Sequence, residues 1–209
     1  MNKDQIGYLL RASTNGGVAG CRVAALDLPE LGGMVRIPQT NDYQIYGLLY
    51  DMHIDDDGLV RQLVTAENIS EEVITDNRLH RSVPIELSML FIGYQQQNDY
   101  IHLLPPRPPL TLDEVYVCSA NEICAFTDSG RFGYFRHILR GTDFPVAEVL
   151  ASHVRQSTMA HQQFGDFAWN NAATQELITL LRDDYPTLMH VLGALADAHI
   201  HGQEVKDGA

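Results

Sequence analysis

The hydrophobic period of this chain changes once, near residue 119, from the two-residue spacing of strands to the longer spacing of helices. A chain patterned this way folds as strands followed by helices, an α+β arrangement. In front, Ile6-Gly7-Tyr8-Leu9-Leu10 is a short apolar run that stops at the turn formers Ser13-Thr14-Asn15-Gly16-Gly17. Cys21, Val23 and Ala25 alternate as on a half-buried strand, and Leu31 to Pro38 supplies another strand after Pro29. Ile45 to Met52 is mostly apolar, as expected of a strand covered on both faces. Val83 to Tyr94 begins alternating and ends buried; Gln95 to Asn98 turns, and Tyr100 to Leu104 returns as its hairpin partner. Pro105-Pro106-Arg107-Pro108-Pro109 is neither helix nor central strand and reads as an exposed, stiff spacer that sets the angle between the two parts. A last strand follows at Val115 to Cys118.

Behind it, Ser119-Ala120-Asn121-Glu122 has the form of a capping box, in which the hydroxyl takes an orphan amide and the carboxylate reaches back. It opens a helix through Ile123, Cys124 and Phe126. Asp143 and Pro145 mark a second start, with Val146, Val149, Leu150 and Val154 at helical spacing; Leu177 to Leu181 belong to a third helix and Pro186 opens a fourth. Gln203 to Ala209 is polar and reads as a frayed tail.

Composition excludes several chemistries. The only lysines are Lys3 and Lys206, so no phosphate-binding loop of the G-x-x-x-x-G-K-[ST] type and no interior Schiff-base lysine can exist. The net charge of −13 argues against direct nucleic-acid binding, which needs clustered Lys and Arg. Residues 1–128 hold 8 basic and 18 acidic residues, so most of that charge lies in front. Three cysteines without a C-x-x-C pair fit a reducing compartment. With no apolar leader and no long apolar run, a cytoplasmic protein without a membrane segment is expected.

Candidate catalytic groups are weak. Asp55-Asp56-Asp57-Gly58 is acid-dense but lacks the alternate carboxylates of a calcium loop, and reads as a solvated turn. The C-terminal histidines His137, His153, His161, His190, His199 and His201 show neither the i,i+4 pair nor the glutamate of zinc enzymes, and read as polar-face residues. No G-x-S-x-G elbow occurs, and Cys118 and Cys124 fall where the pattern places core residues. No catalytic residue, metal ligand or cofactor is assigned from the sequence.

The front also carries ordered pieces that resemble a known family. Ile6-Gly7-Tyr8-Leu9-Leu10, Leu31-Gly32 before Met34-Val35, Tyr46-Gly47-Leu48-Leu49, Val83-Pro84-Ile85 and Leu103 to Pro109 resemble, in order, the strands and proline-rich exit of the HAS-barrel family. That family comprises the N-terminal β-barrels of HerA-type DNA translocases and of F-type ATP synthase ring subunits. The resemblance implies a barrel of about six strands over 5–118; behind it, the residue pattern reads as a helical segment over 119–202 and a flexible tail over 203–209. It departs from the family where the translocase motor would begin.

What the resemblance implies is therefore the barrel's work without the motor's. The expected function is a non-enzymatic adaptor that docks on a ring-forming ATPase or its nuclease partner in DNA processing, with self-association also open. The residues singled out for that contact are Asp55, Asp56 and Asp57 as the densest acidic point, Arg107 in the spacer, and the apolar helix face at Val149 and Leu150. The competing reading is a small metal-dependent hydrolase built on histidines of the helical part.

Overall fold

The computed structural model describes residues 4–21, 29–40, 42–54, 65, 70–71 and 85–204. Seven strands lie among them: β1 (Gln5–Ala12), β2 (Gly16–Cys21), β3 (Met34–Thr40), β4 (Tyr43–Ile54), β5 (Ile85–Gln96), β6 (Asp99–Ile101) and β7 (Glu114–Val117). All pair antiparallel, in the order β2-β1-β7-β3-β4-β5, and a β2–β5 pairing closes the ring. Six strands thus form a closed barrel, and β6 is a short seventh that pairs with β5.

Strand alternation fills the barrel. On β5, Ile85, Leu87, Met89 and Phe91 point inward and meet Ile6, Leu9, Val35, Ile37, Ile45, Leu49 and Val115 from the other strands. Two expectations shift. Gly16 and Gly17 belong to β2, so the turn narrows to Ser13–Asn15, and Gly7 permits the close β1–β2 approach, since a Cβ there would lie 2.3 Å from the Gly20 carbonyl oxygen. Val23, Ala25, Val83 and Pro84 lie outside the described residues.

Five α-helices follow: α1 (Ala120–Thr127), α2 (Phe135–Leu139), α3 (Val146–Gln163), α4 (Trp169–Leu181) and α5 (Tyr185–Glu204). The capping box at Ser119 forms as read: Glu122 N–H donates to Ser119 Oγ at 3.4 Å, and Ser119 N–H donates to Glu122 Oε2 at 2.8 Å. Pro186 is the second residue of α5, behind Asp184, which accepts from the Thr187 N–H at 3.2 Å. The helix enters the segment read as a tail and continues to Glu204.

A second core lies outside the barrel, between its wall and the helices. Met34, Tyr46, Leu48 and Ile92 face outward from β3, β4 and β5 and pack with Phe126, Tyr134, Phe135, Ile138, Val149, Leu150 and Val154. Strand β4 is covered on both faces over Ile45–Leu49, with Ile45 and Leu49 inside and Tyr46 and Leu48 outside, but the cover stops short of Met52, since Asp51 is exposed. Two glycines set the distance of approach. At Gly32, with φ of +75°, a Cβ would meet the His153 amide nitrogen at 2.7 Å and the Val149 carbonyl oxygen at 2.8 Å, so α3 lies directly on that backbone. At Gly93 a Cβ would lie 2.9 Å from the Phe126 ring.

Several polar groups at this seam find partners, although His102 Nδ1 and Trp169 Nε1 are buried without one. His153, fully enclosed, lies 3.3 Å from the Gly32 carbonyl through Nδ1 and 3.0 Å from the Tyr134 hydroxyl through Nε2. That pattern suits a neutral ring donating at Nδ1 and accepting at Nε2. After β6, the His102 carbonyl accepts from Arg136 and, at 3.1 Å, from His137 Nε2, which ties the barrel exit to α2. The proline run is only partly exposed, not exposed throughout as read from the sequence. Pro105 and Pro109 are buried, only Pro106, Arg107 and Pro108 are exposed, and the helices take their orientation from the shared core. Among the described residues, no helix is long and apolar enough to cross a membrane.

Two substitutions probe this seam. Gly32→Ala forces a side chain onto a left-handed backbone pressed against α3 and is expected to cost about 1–3 kcal/mol in urea denaturation. Pro106→Ser with Pro108→Ser, both exposed, is expected to change stability by no more than about 0.5 kcal/mol and to leave the small-angle scattering profile unaltered.

Stability should also depend on pH. Burial holds His153 down at about 4, against the ordinary value of 6.5, and burial also lowers His102 and His137. Between those two pH values the unfolded chain binds protons that the folded chain refuses, so stability is present above pH 6.5 and is lost as pH falls toward 4. For His153 the loss reaches about 3 kcal/mol by about pH 4. Denaturation midpoints across this window should show the slope, and His153→Gln should flatten it; a slope unchanged in that variant would place the proton uptake elsewhere.

Candidate functional site

The residues singled out from sequence do not form one site. Asp55, Asp56 and Asp57 lie outside the described residues. Arg107 is exposed, carried between Pro106 and Pro108 at the barrel exit. Val149 and Leu150 are fully buried, as is Val154. Their apolar face is turned onto the barrel wall and satisfied there, so the expectation that it contacts a partner is corrected: the helical spacing marked an internal seam.

The barrel offers a different outward surface. Leu9 points into the barrel, so its neighbours Tyr8 and Leu10 point out, and they remain 45% and 46% exposed. Leu10 lies flat over Gly20 of β2, where a Cβ would stand 3.2 Å from its side chain. Beside β1 runs the segment leading into β7: the Leu112 N–H donates to the Leu9 carbonyl at 2.8 Å, the Leu9 N–H donates to the Asp113 carbonyl at 2.9 Å, and Asp113 Oδ2 accepts from the Leu110 N–H at 2.7 Å. Leu110 and Leu112 are both exposed, and Leu112 holds a φ of +70°, a costly conformation for a leucine that contributes nothing to the core. Charged and polar groups rim this wall, with Arg11 paired to Glu86 at 2.9 Å and Arg36 stacked 4.6 Å over the Tyr116 ring.

A groove of about 550 Å³ separates the β1–β2 turn from the α2–α3 connection, lined by Arg11, Asn15, Leu104, His137, Arg140 and Phe144 among others. Its lining is chemically mixed, with apolar, hydroxyl, basic and acidic side chains, and the Thr142 hydroxyl donates to Asp143 Oδ1 at 3.4 Å.

The histidines divide into two kinds. His102 and His153 are structural: His102 Nε2 lies 3.0 Å from the Phe126 carbonyl and its ring packs against Phe126 and Tyr134. His161, in the last turn of α3, is different. Its Nδ1 lies 3.3 Å from Asp166 Oδ2 and 3.8 Å from Asp128 Oδ1, and the three ligand atoms fall within 4.8 Å of one another. Burial pushes the thiols of Cys118 and Cys124 up, which keeps both protonated and poorly nucleophilic. Cys118 is buried as the pattern implied, whereas Cys124 is only half-buried, on the edge of α1.

Sequence reading missed the His161 grouping because its members come from three places: Asp128 behind α1, His161 near the end of α3 and Asp166 in the α3–α4 connection. His161 and Asp166 stand only five residues apart, but a helix end and a turn between them remove any fixed period. The exposed wall was equally hidden, because alternation on β1 shows which side chains point out without showing which are left uncovered. Comparison with known proteins adds no relative: no protein-family model matches this chain, and no curated protein matches it.

Proposed function

We propose that this protein is a non-enzymatic assembly module whose barrel docks on a ring-forming, HerA-like ATPase or on that motor's nuclease partner in DNA processing. The observation that carries the reading is the asymmetry of the barrel. One wall, β3–β4–β5, is covered by the chain's own helices, while β1 keeps Tyr8 and Leu10 about half exposed beside Leu110 and Leu112. Large apolar side chains within a charged rim suit a protein contact, and aromatic residues supply much of the energy of such contacts.

Charge supports the same partner class. The 18 acidic against 8 basic residues of positions 1–128 give the barrel half a negative field that repels nucleic acid and attracts a basic protein surface. The resemblance of the strand pieces to HAS barrels supplies the ring ATPase, since those barrels form a collar on a six-membered ring. Absence of any lysine between positions 3 and 206 leaves the motor chemistry to the partner.

Tagged protein expressed in its native host, followed by identification of co-purifying chains, tests the reading. A P-loop ATPase or its nuclease is expected in the wild-type capture and is expected to be depleted from the capture made with Tyr8→Lys, Leu10→Lys. In a reconstituted pair the double substitution should weaken binding by about 2 kcal/mol or more. The isolated protein is expected to show neither ATPase nor nuclease turnover. Turnover that follows it through a sizing column, or a variant that captures the same chains as wild type, would overturn the reading.

A further inference from the structure

The grouping of Asp128, His161 and Asp166 stands apart from the docking wall, and its chemistry starts at Thr127. That hydroxyl lies 2.8 Å from the Ile123 carbonyl one turn back and donates its single proton there. Toward His161 Nε2, also at 2.8 Å, the same oxygen therefore accepts, and the hydrogen-bond network assigns the ring proton to Nε2. Nδ1 is left with its lone pair. It is aimed at Asp166 Oδ2 and Asp128 Oδ1, on a side chain only 2% exposed. Three electron-pair donors converging this closely repel one another unless a cation sits among them.

The supporting geometry agrees. Asp166 Oδ1 accepts from the Ala168 N–H at 2.9 Å and the Trp169 N–H at 3.2 Å, which fixes the carboxylate and leaves Oδ2 turned to His161. Trp169 stacks on the imidazole, with centroids 4.7 Å apart and planes 16° from parallel, and locks the ring from one face. The half-buried Cys124 thiol is raised first by burial and next by the negative charges of Asp128 and Asp166, so it stands in the same negative field.

We propose that Asp128, His161 and Asp166 bind a divalent first-row transition cation, through His161 Nδ1 and one oxygen from each carboxylate. One imidazole nitrogen with two carboxylate oxygens suits Zn²⁺, Co²⁺, Mn²⁺ or Fe²⁺ better than Ca²⁺, which takes about six or more oxygens, or Cu⁺, which seeks sulfur. Thr127 is the outer partner that holds the other ring nitrogen, the arrangement metal-bound imidazoles ordinarily show. Both carboxylates reach solvent, so the remaining coordination positions are open to water.

The chain supplies its own reporter, because Trp169 is its only tryptophan. Full-length protein stripped with a chelator is titrated with Co²⁺ while tryptophan fluorescence is followed. Saturable quenching at one equivalent per chain is expected, reversed by chelator and by competing Zn²⁺. Asp128→Asn and Asp166→Asn are each expected to weaken Co²⁺ binding by about tenfold or more, with circular dichroism unchanged. In Asp166→Asn the side-chain amide oxygen still accepts the two backbone hydrogen bonds, so that variant tests charge without removing the cap. No saturable quenching up to a concentration on the order of 1 mM, or equal affinity in wild type and both variants, would overturn the proposal and leave a proton on Nδ1 as the occupant. Because none of these residues lies on β1, this outcome is independent of the docking experiment.

Discussion

The structure depends on how closely α3 and α1 approach the outside of the barrel. A closed antiparallel barrel satisfies its own backbone, so it needs no further element to cap an edge. What it cannot do is hide Met34, Tyr46, Leu48 and Ile92, which alternation turns outward. The helices cover them, and Gly32 lets the α3 backbone, and Gly93 the Phe126 ring of α1, approach where a side chain would intrude. The same approach encloses His153 and Tyr134, whose polar atoms are then obliged to find each other and the Gly32 carbonyl.

This seam divides the barrel into a covered and an uncovered wall. The covered wall cannot recruit anything, since Val149, Leu150 and Val154 are consumed in closing it. The β1 wall, which none of helices α1 to α5 covers, keeps large apolar side chains exposed and adjoins a leucine on left-handed backbone, both of which cost free energy in the isolated chain. The proposed docking role would give that cost a reason. Apart from this wall, the ends of α1 and α3 and the turn before α4 bring two carboxylates to one imidazole nitrogen.

Much of the fold was legible in the residues. Ile85-Glu86-Leu87-Ser88-Met89 alternates because the barrel has an inside, and Ser119 with Glu122 announces a helix start because a capping box satisfies two amides within four residues. The apolar run at Ile45 to Met52 announced double coverage, which the structure shows over Ile45–Leu49. The reading failed where local chemistry left the destination open. Val149 and Leu150 look the same whether their face meets a partner or the chain's own barrel, and the prolines look like a spacer until Pro105 and Pro109 are seen buried. His161 at eight residues from His153 suggested nothing, because its companions are carboxylates from other segments.

What the sequence determined by itself was therefore the periodic and the excluded. Strand and helix spacing are local and are fixed by φ/ψ preference and alternation, and a chain with lysine only at positions 3 and 206 cannot carry a phosphate-loop motor whatever its fold. Tertiary structure alone decided closure of the barrel through β2 and β5, which wall the helices cover, and which carboxylates face His161. Those are outcomes of long-range packing. They are set by where Gly32 and Gly93 leave room for α3 backbone and the Phe126 ring and by which apolar faces remain to be buried once the strands have paired, quantities that no single segment contains.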